Sequence, residues 1–206
     1  MSRPDYLKQI ENRIISVNDG DVFITSDFLD IADIQTVNKA LSRLTEGKKI
    51  RRILRGVYDS PRYSKLLQEY TAPKMEAVAS AIARNFGWTI VPCGDTALNM
   101  LGLSTQVPAV WLYVSDGPYR EYQIDTRILK FKHTSNKDIT GISYKSALVI
   151  QALKALGETN IKDVDIKKFK KALSPSEKDA LFSEAQYGTA WTYKIVKSIC
   201  GEENAK

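Results

Sequence analysis

The sequence predicts an α+β protein of two domains, and three observations carry that prediction. Apolar residues recur at steps of three and four in several stretches, which is the helical period. Short β-branched and aromatic runs bounded by glycine, proline or aspartate lie between them, which is the mark of strands and turns. A polar stretch at 61–73 divides the chain into a segment 1–60 and a segment 74–206. With 206 residues, 43 % of them hydrophobic, the chain can build more than one small core. No internal repeat or low-complexity run is present.

In the first segment, Tyr6, Ile10, Ile14 and Val17 share one side of a helix running from about Pro4 to Val17. Pro4 suits its first turn, and Asn18-Asp19-Gly20 ends it. A second, short helix is expected to be capped by Thr25 or Ser26 and to run through Phe28, Leu29 and Ala32, with a turn at Ile31–Asp33. Asp33 caps a third helix whose inner stripe is Ile34, Val37, Leu41 and Leu44, and Gly47 stops it. Its outer face presents Gln35, Thr36, Lys39, Ser42 and Arg43. Beyond Gly47 the period changes. Residues 49–54 and 57–59 read as a two-stranded ribbon turning at Arg55-Gly56, where glycine supplies the positive φ of a tight hairpin. Helix, helix, helix, hairpin is the order of a winged helix-turn-helix over residues 1–60.

Charge then points to a partner. From Gln35 to Arg55 the chain carries Lys39, Arg43, Lys48, Lys49, Arg51, Arg52 and Arg55 against Glu46 alone. That stretch holds a net +6, equal to the net charge of the whole chain, so the remaining acids and bases balance. A charge run is ordinarily a solvated face. Here the third helix, the turn after it and the ribbon all carry the same sign on adjacent elements, which is the footprint of a nucleic-acid binder. The residues expected to contact double-stranded DNA are therefore Gln35, Thr36, Lys39, Ser42, Arg43, Lys48, Lys49, Arg51, Arg52 and Arg55. The alternative is a protein-interaction module that uses the winged scaffold without DNA.

Residues 61–73 are expected to be a linker, closed by Ser60-Pro61 and followed from Lys74 by a helix with Met75, Val78, Ile82 and Phe86 in its stripe, ending at Gly87. Strands follow at Thr89–Val91, Ala109–Val114, Glu121–Ile124 and Arg127–Lys132, with a short helix between the first two capped by Asp95 or Thr96. Helices take over at Ser143–Leu156, Val164–Leu173 and Ser176–Cys200, the last broken near Gly188 and opened by Ser176 with Asp179. The second domain, 74–206, is thus mixed α+β with a helical C-terminal tail. Its strand order is not legible.

Three of these stretches resemble a known family. The run Gly47-Lys48-Lys49-Ile50-Arg51-Arg52-Ile53-Leu54-Arg55-Gly56-Val57-Tyr58 resembles the wing of AbiEi-like antitoxins of bacterial type IV toxin–antitoxin systems. Val91–Leu103 is similar to that family's small-Gly-x-x-Ala-x-x-x-x-Gly-Leu element, and Ala185-Gln186-Tyr187-Gly188-Thr189-Ala190-Trp191 to its closing motif. The resemblance runs from about Ile10 to near Cys200. It implies an autorepressor that binds its own operator, with inverted repeats, through the winged domain. It also implies an antitoxin domain whose functional partner is a nucleotidyltransferase-type toxin, with direct contact between the two left open.

Gly94-Asp95-Thr96-Ala97-Leu98 also resembles the Gly-Gly-Thr-Ala-Leu loop of small nucleotidyltransferases. Such chemistry needs two carboxylates on one face to hold divalent ions. Asp116 sits in a Gly-Pro turn and Asp125 stands alone, so Asp95 reads as a helix cap, and no catalytic residue, cofactor or metal site is expected. A single histidine, His133, makes no metal cluster. Cys93 and Cys200 are far apart and fit reduced thiols in a cytoplasmic protein. No secretory signal core and no membrane-length apolar run is seen, so no membrane partner is expected. The lysines of 162–171 read as the solvated outer face of a helix, with a secondary DNA contact as the alternative.

Overall fold

The computed structural model describes residues 5–16, 20–134, 139–186 and 188–201. The chain is α+β and forms two compact units, Met1–Gly87 and Trp88–Lys206. Pro4, Val17, Asn18, Asp19 and Tyr187, which the sequence reading uses, lie outside the described residues.

The first unit begins with α1 (Tyr6–Ser16), which buries Ile10 and Ile14. β1 (Val22–Ile24) follows, a strand of three residues too short to show a period. The expected second helix is a single 3-10 turn, Thr25–Phe28, and neither Thr25 nor Ser26 caps it. The Asp27 carboxylate accepts from the Ile24 N–H at 2.9 Å, and Arg13 holds Asp30 through two hydrogen bonds of 2.6 Å. These side-chain bonds fix the loop where a longer helix would have needed backbone ones. α2 (Ile34–Glu46) buries Val37, Ala40, Leu41 and Leu44. Ile34 does not join that stripe; it stands at the first helical position and is 57 % exposed.

β2 (Arg51–Leu54) and β3 (Val57–Asp59) make the expected ribbon, with a bulge between Arg52 and Leu54. β1 pairs with β3, so the antiparallel sheet runs β1-β3-β2. Strand alternation divides its side chains. Phe23 and Tyr58 lie on one face, stacked at 6.2 Å, in a core with Ile10, Ile14, Phe28, Val37, Leu41 and Leu44. Val22, Ile24 and Val57 are buried on the other face. α3 (Met75–Phe86) packs on β1 and β3, and Arg84 donates to the Val22 carbonyl and the Asp27 carboxylate. The sequence reading places this helix in the second domain. The contacts place it in the first unit, because a sheet apolar on both faces needs a cover on each. The expected linker holds a small hairpin, β4 (Tyr63–Ser64) and β5 (Glu69–Tyr70).

The second unit contains a four-stranded sheet of β6 (Ile90–Pro92), β7 (Val110–Ser115), β8 (Arg120–Ile124) and β9 (Arg127–His133). Its order is β6-β7-β9-β8, with β7 and β9 parallel and the other pairs antiparallel. α4 (Gly94–Met100) packs on β7, and α5 (Tyr144–Leu156) packs on α4 and β6. α6 (Asp163–Ala172), α7 (Pro175–Ala185) and α8 (Ala190–Cys200) complete a core around Leu148, Leu153, Phe169, Leu181, Val196 and Ile199. α7 is capped two residues earlier than the sequence suggests. Ser174, not Ser176, is the cap: its N–H donates to Glu177 at 2.7 Å, its hydroxyl accepts from the Glu177 N–H, and Pro175 takes the first helical position. These bonds hold the Glu177 carboxyl below its ordinary pKa.

Candidate nucleic-acid interface

α2 is set firmly at its N-terminus. Asp33 Oδ1 accepts from the N–H groups of Gln35 and Thr36, both at 3.0 Å, and Oδ2 accepts from the Thr36 hydroxyl at 2.8 Å. Those hydrogen bonds lower the Asp33 pKa. The outward face then carries Gln35, Lys39, Ser42 and Arg43, all exposed, and the half-buried Thr36. Ser42 donates to Glu46 at 3.1 Å. The hydroxyl protons of Thr36 and Ser42 are therefore already in use, while their oxygen lone pairs and the Gln35 amide remain open to a ligand.

The helix ends at Glu46 with Gly47 as its C-cap, as expected. Gly47 has φ −73°, and it is Lys48 that takes the left-handed conformation, at φ +56°. The Lys48 N–H donates to Thr45 and the Lys49 N–H to Leu44, at 3.0 and 2.9 Å, the paired bonds of a Schellman close. Glycine is usual at that left-handed position, since a side chain there costs roughly 1–2 kcal/mol. At Gly47 itself a Cβ would stand 3.3 Å from the Arg43 carbonyl, a tight contact at an ordinary backbone angle.

On the ribbon, adjacent arginines part company. Arg52 is exposed and points to the Tyr58 face, with Nε 3.4 Å from the Leu54 carbonyl. Arg51 points to the opposite face and binds Asp59 with both ends of its guanidinium, at 3.1 and 2.6 Å. It also donates to the Thr71 carbonyl at 3.1 Å. Asp59 is fully buried. A buried carboxylate needs its cation, so Arg51 is committed to the fold, where the sequence reading has it on DNA. Lys49 pairs with Glu11 of α1. Arg55 is exposed at the ribbon turn, and Gly56 beside it has φ +76°.

Of the ten sequence-predicted contact residues, the structure thus leaves Lys39, Arg43, Lys48, Arg52 and Arg55 as exposed cations without an acidic partner among the described residues. Arg13, Lys49, Arg51 and Arg84 in the same unit are paired with Asp30, Glu11, Asp59 and Asp27.

In the second unit a smaller basic group stands on α6, where Lys167, Lys168 and Lys171 are exposed behind Asp163 and Asp165 of the first turn. Asp95 does not cap α4; Cys93 is the N-cap residue, Asp95 is exposed in the first turn, and the buried Thr96 hydroxyl accepts from the Leu112 N–H at 2.8 Å. Asp116 accepts from the Thr89 N–H, and His133 Nδ1 lies 3.0 Å from the Gly117 carbonyl. Among the described residues no group of three or more His, Cys, Asp or Glu side chains could hold a metal ion. Burial pushes the Cys93 thiol up to about 11, which keeps it protonated and unreactive. Among the described residues no helix is long and apolar enough to cross a membrane.

The family of unknown function DUF6088 matches residues 9–181, across both units. The chain belongs to the DUF6088 family. No curated protein matches it. The crystal structure of the RV2827C protein from Mycobacterium tuberculosis is similar to this DUF6088 chain with a TM-score of 0.42 and 10 % identity, over 97 % of this chain and 77 % of that one. Within the DUF6088 chain, sequence reasoning missed three exposed features near the basic face. Ile34 stands out at the start of α2, Asn38 accepts from the Thr25 hydroxyl at 3.0 Å, and the β4–β5 hairpin carries Arg62 and Lys65. The near-symmetric Tyr63-Ser64 and Glu69-Tyr70 were the only signal for that hairpin, and strands of two residues show no periodicity.

Proposed function

We propose that the first unit is a winged helix-turn-helix that binds duplex DNA, with α2 as the recognition helix and the β2–β3 ribbon as the wing. The observation that carries this reading is the set of five exposed cations without acidic partners among the described residues, Lys39, Arg43, Lys48, Arg52 and Arg55, spread over the helix, its closing turn and the ribbon. Lys48 supports it further, since a lysine occupies a left-handed position that glycine would fill at lower cost. In this reading Gln35 and Thr36, with Ile34 beside them, meet base edges, an exposed isoleucine being suited to a thymine methyl. The cations hold phosphates. Lys49 and Arg51 contribute by fixing α1 to the post-helix turn and the ribbon to the body.

The physiological role in this proposal is that of a cytoplasmic autorepressor and type IV antitoxin that opposes a nucleotidyltransferase-type toxin. Its support is the resemblance of 47–58, 91–103 and 185–191 to AbiEi-like antitoxins. Five phosphate contacts imply a log–log salt slope of roughly −4 to −5 for duplex DNA. A gel-shift titration on the region upstream of its own gene, at several salt concentrations, measures that slope. A flat salt response would overturn the DNA reading. Co-expression with a neighbouring toxin gene, scored by growth, tests the antitoxin half separately.

A further inference from the structure

Of residues 62–70, all but Ser64 are exposed, although they form a hydrogen-bonded hairpin. A two-stranded hairpin that buries nothing is marginal in water, so this one is held by its root and by its own rings. At the root, the Thr71 N–H donates to the Arg62 carbonyl at 2.8 Å, and the Thr71 carbonyl accepts from Arg51, whose other bonds fix it to Asp59 of β3. Across the strands, Tyr63 and Tyr70 meet edge to face at 5.3 Å and 76°. At the tip stand Leu66, 91 % exposed, and Leu67, 61 % exposed. Arg62 and Lys65 outnumber Glu69 along the hairpin.

We propose that this hairpin is a second DNA-contacting arm: Arg62 and Lys65 hold phosphates while Leu66 and Leu67 wedge into a base step and bend the duplex. Apolar side chains on an extended basic element are the means by which architectural proteins unstack a step and kink DNA. Two features favour DNA as the occupant. The hairpin is positively charged, and Arg51 ties its root to β2, the strand that carries Arg52 and leads to Arg55. A protein docked on the leucines would have to meet those same cations. The arm rests on the DNA-binding reading above, and the experiment separates the two.

The full chain is titrated onto end-labelled duplexes, one from the upstream region of its own gene and one of mixed sequence at low salt. Energy transfer between the duplex ends reports bending. The wild type is expected to bend the duplex. Leu66→Ser/Leu67→Ser should leave it straight and weaken binding roughly three- to tenfold, with the salt slope unchanged because no charge is removed. With these two contacts added to the five of the winged unit, the wild-type slope is expected at roughly −6, and Arg62→Ala/Lys65→Ala should return it to roughly −4 to −5. All four side chains are exposed, so the fold tolerates these changes. The arm is overturned if the wild type binds without bending, or if the leucine variant binds and bends like the wild type. It is equally overturned if that variant instead splits a self-associated chain in sedimentation while bending persists. Failure of the wild type to bind either duplex would remove the DNA reading as well.

Discussion

Lys48 shows how far one side chain can stand from its local optimum. Its φ of +56° closes α2 through two hydrogen bonds, and glycine at that position would relieve a cost of roughly 1 kcal/mol. Lys48→Gly is therefore expected to raise Tm by about 2–4 °C, read by thermal unfolding. In the proposed interface the same change removes a phosphate contact, so DNA affinity should fall and the salt slope should become shallower by about one. Stability and binding moving in opposite directions would mark a residue kept for its charge. Unchanged affinity would show that Lys48 lies off the DNA. The sequence put the stop of the helix at Gly47, where it stands, but could not show that the residue after it is the one that turns left-handed.

At the scale of elements, the β2 strand separates two arginines that look alike in the sequence. Period-two alternation sends Arg51 to the face of Asp59 and Arg52 to the face of Tyr58. Arg51→Ala would strand a buried carboxylate and is expected to cost about 3 kcal/mol, most of it from the unpaired Asp59. Arg52→Ala should change stability by less than about 0.5 kcal/mol while weakening DNA binding. Denaturant melts and gel shifts on the two variants distinguish these roles. Both strands of the ribbon and all three long helices of the first unit were legible, because Ile10/Ile14, Val37/Leu41/Leu44 and Met75/Val78/Ile82 repeat at the helical period and Arg55-Gly56 marks the turn. β1, β4 and β5 were not, since two or three residues carry no period. The Val91–Leu103 motif was legible as a pattern, and the structure gives it fold reasons. Gly94 and Gly102 have positive φ, Ala97 is fully buried, and the Leu103 N–H closes α4 on the Leu98 carbonyl at 2.9 Å.

At the scale of the molecule, the units divide at Gly87 and not at the polar stretch 61–73. A fragment ending at residue 70 would leave Val22, Ile24 and Val57 without α3 over them. Three such side chains represent about 1.5–3 kcal/mol each, a large part of the roughly 5–15 kcal/mol that holds a domain together. A fragment of residues 1–87 is therefore expected to unfold cooperatively by circular dichroism, and one of residues 1–70 to lack a transition. A folded 1–70 fragment would restore the shorter boundary. What the sequence determined alone was the α+β class, the periodic helices and the net +6 concentrated between Gln35 and Arg55. These follow from local spacing and from charge, which need no neighbours to be read. The tertiary structure decided which of those charges are spent on the fold, Lys49 on Glu11 and Arg51 on Asp59, and that α3 belongs to the first unit. Both outcomes depend on contacts between residues eight to tens of positions apart, and no local pattern in the chain encodes them.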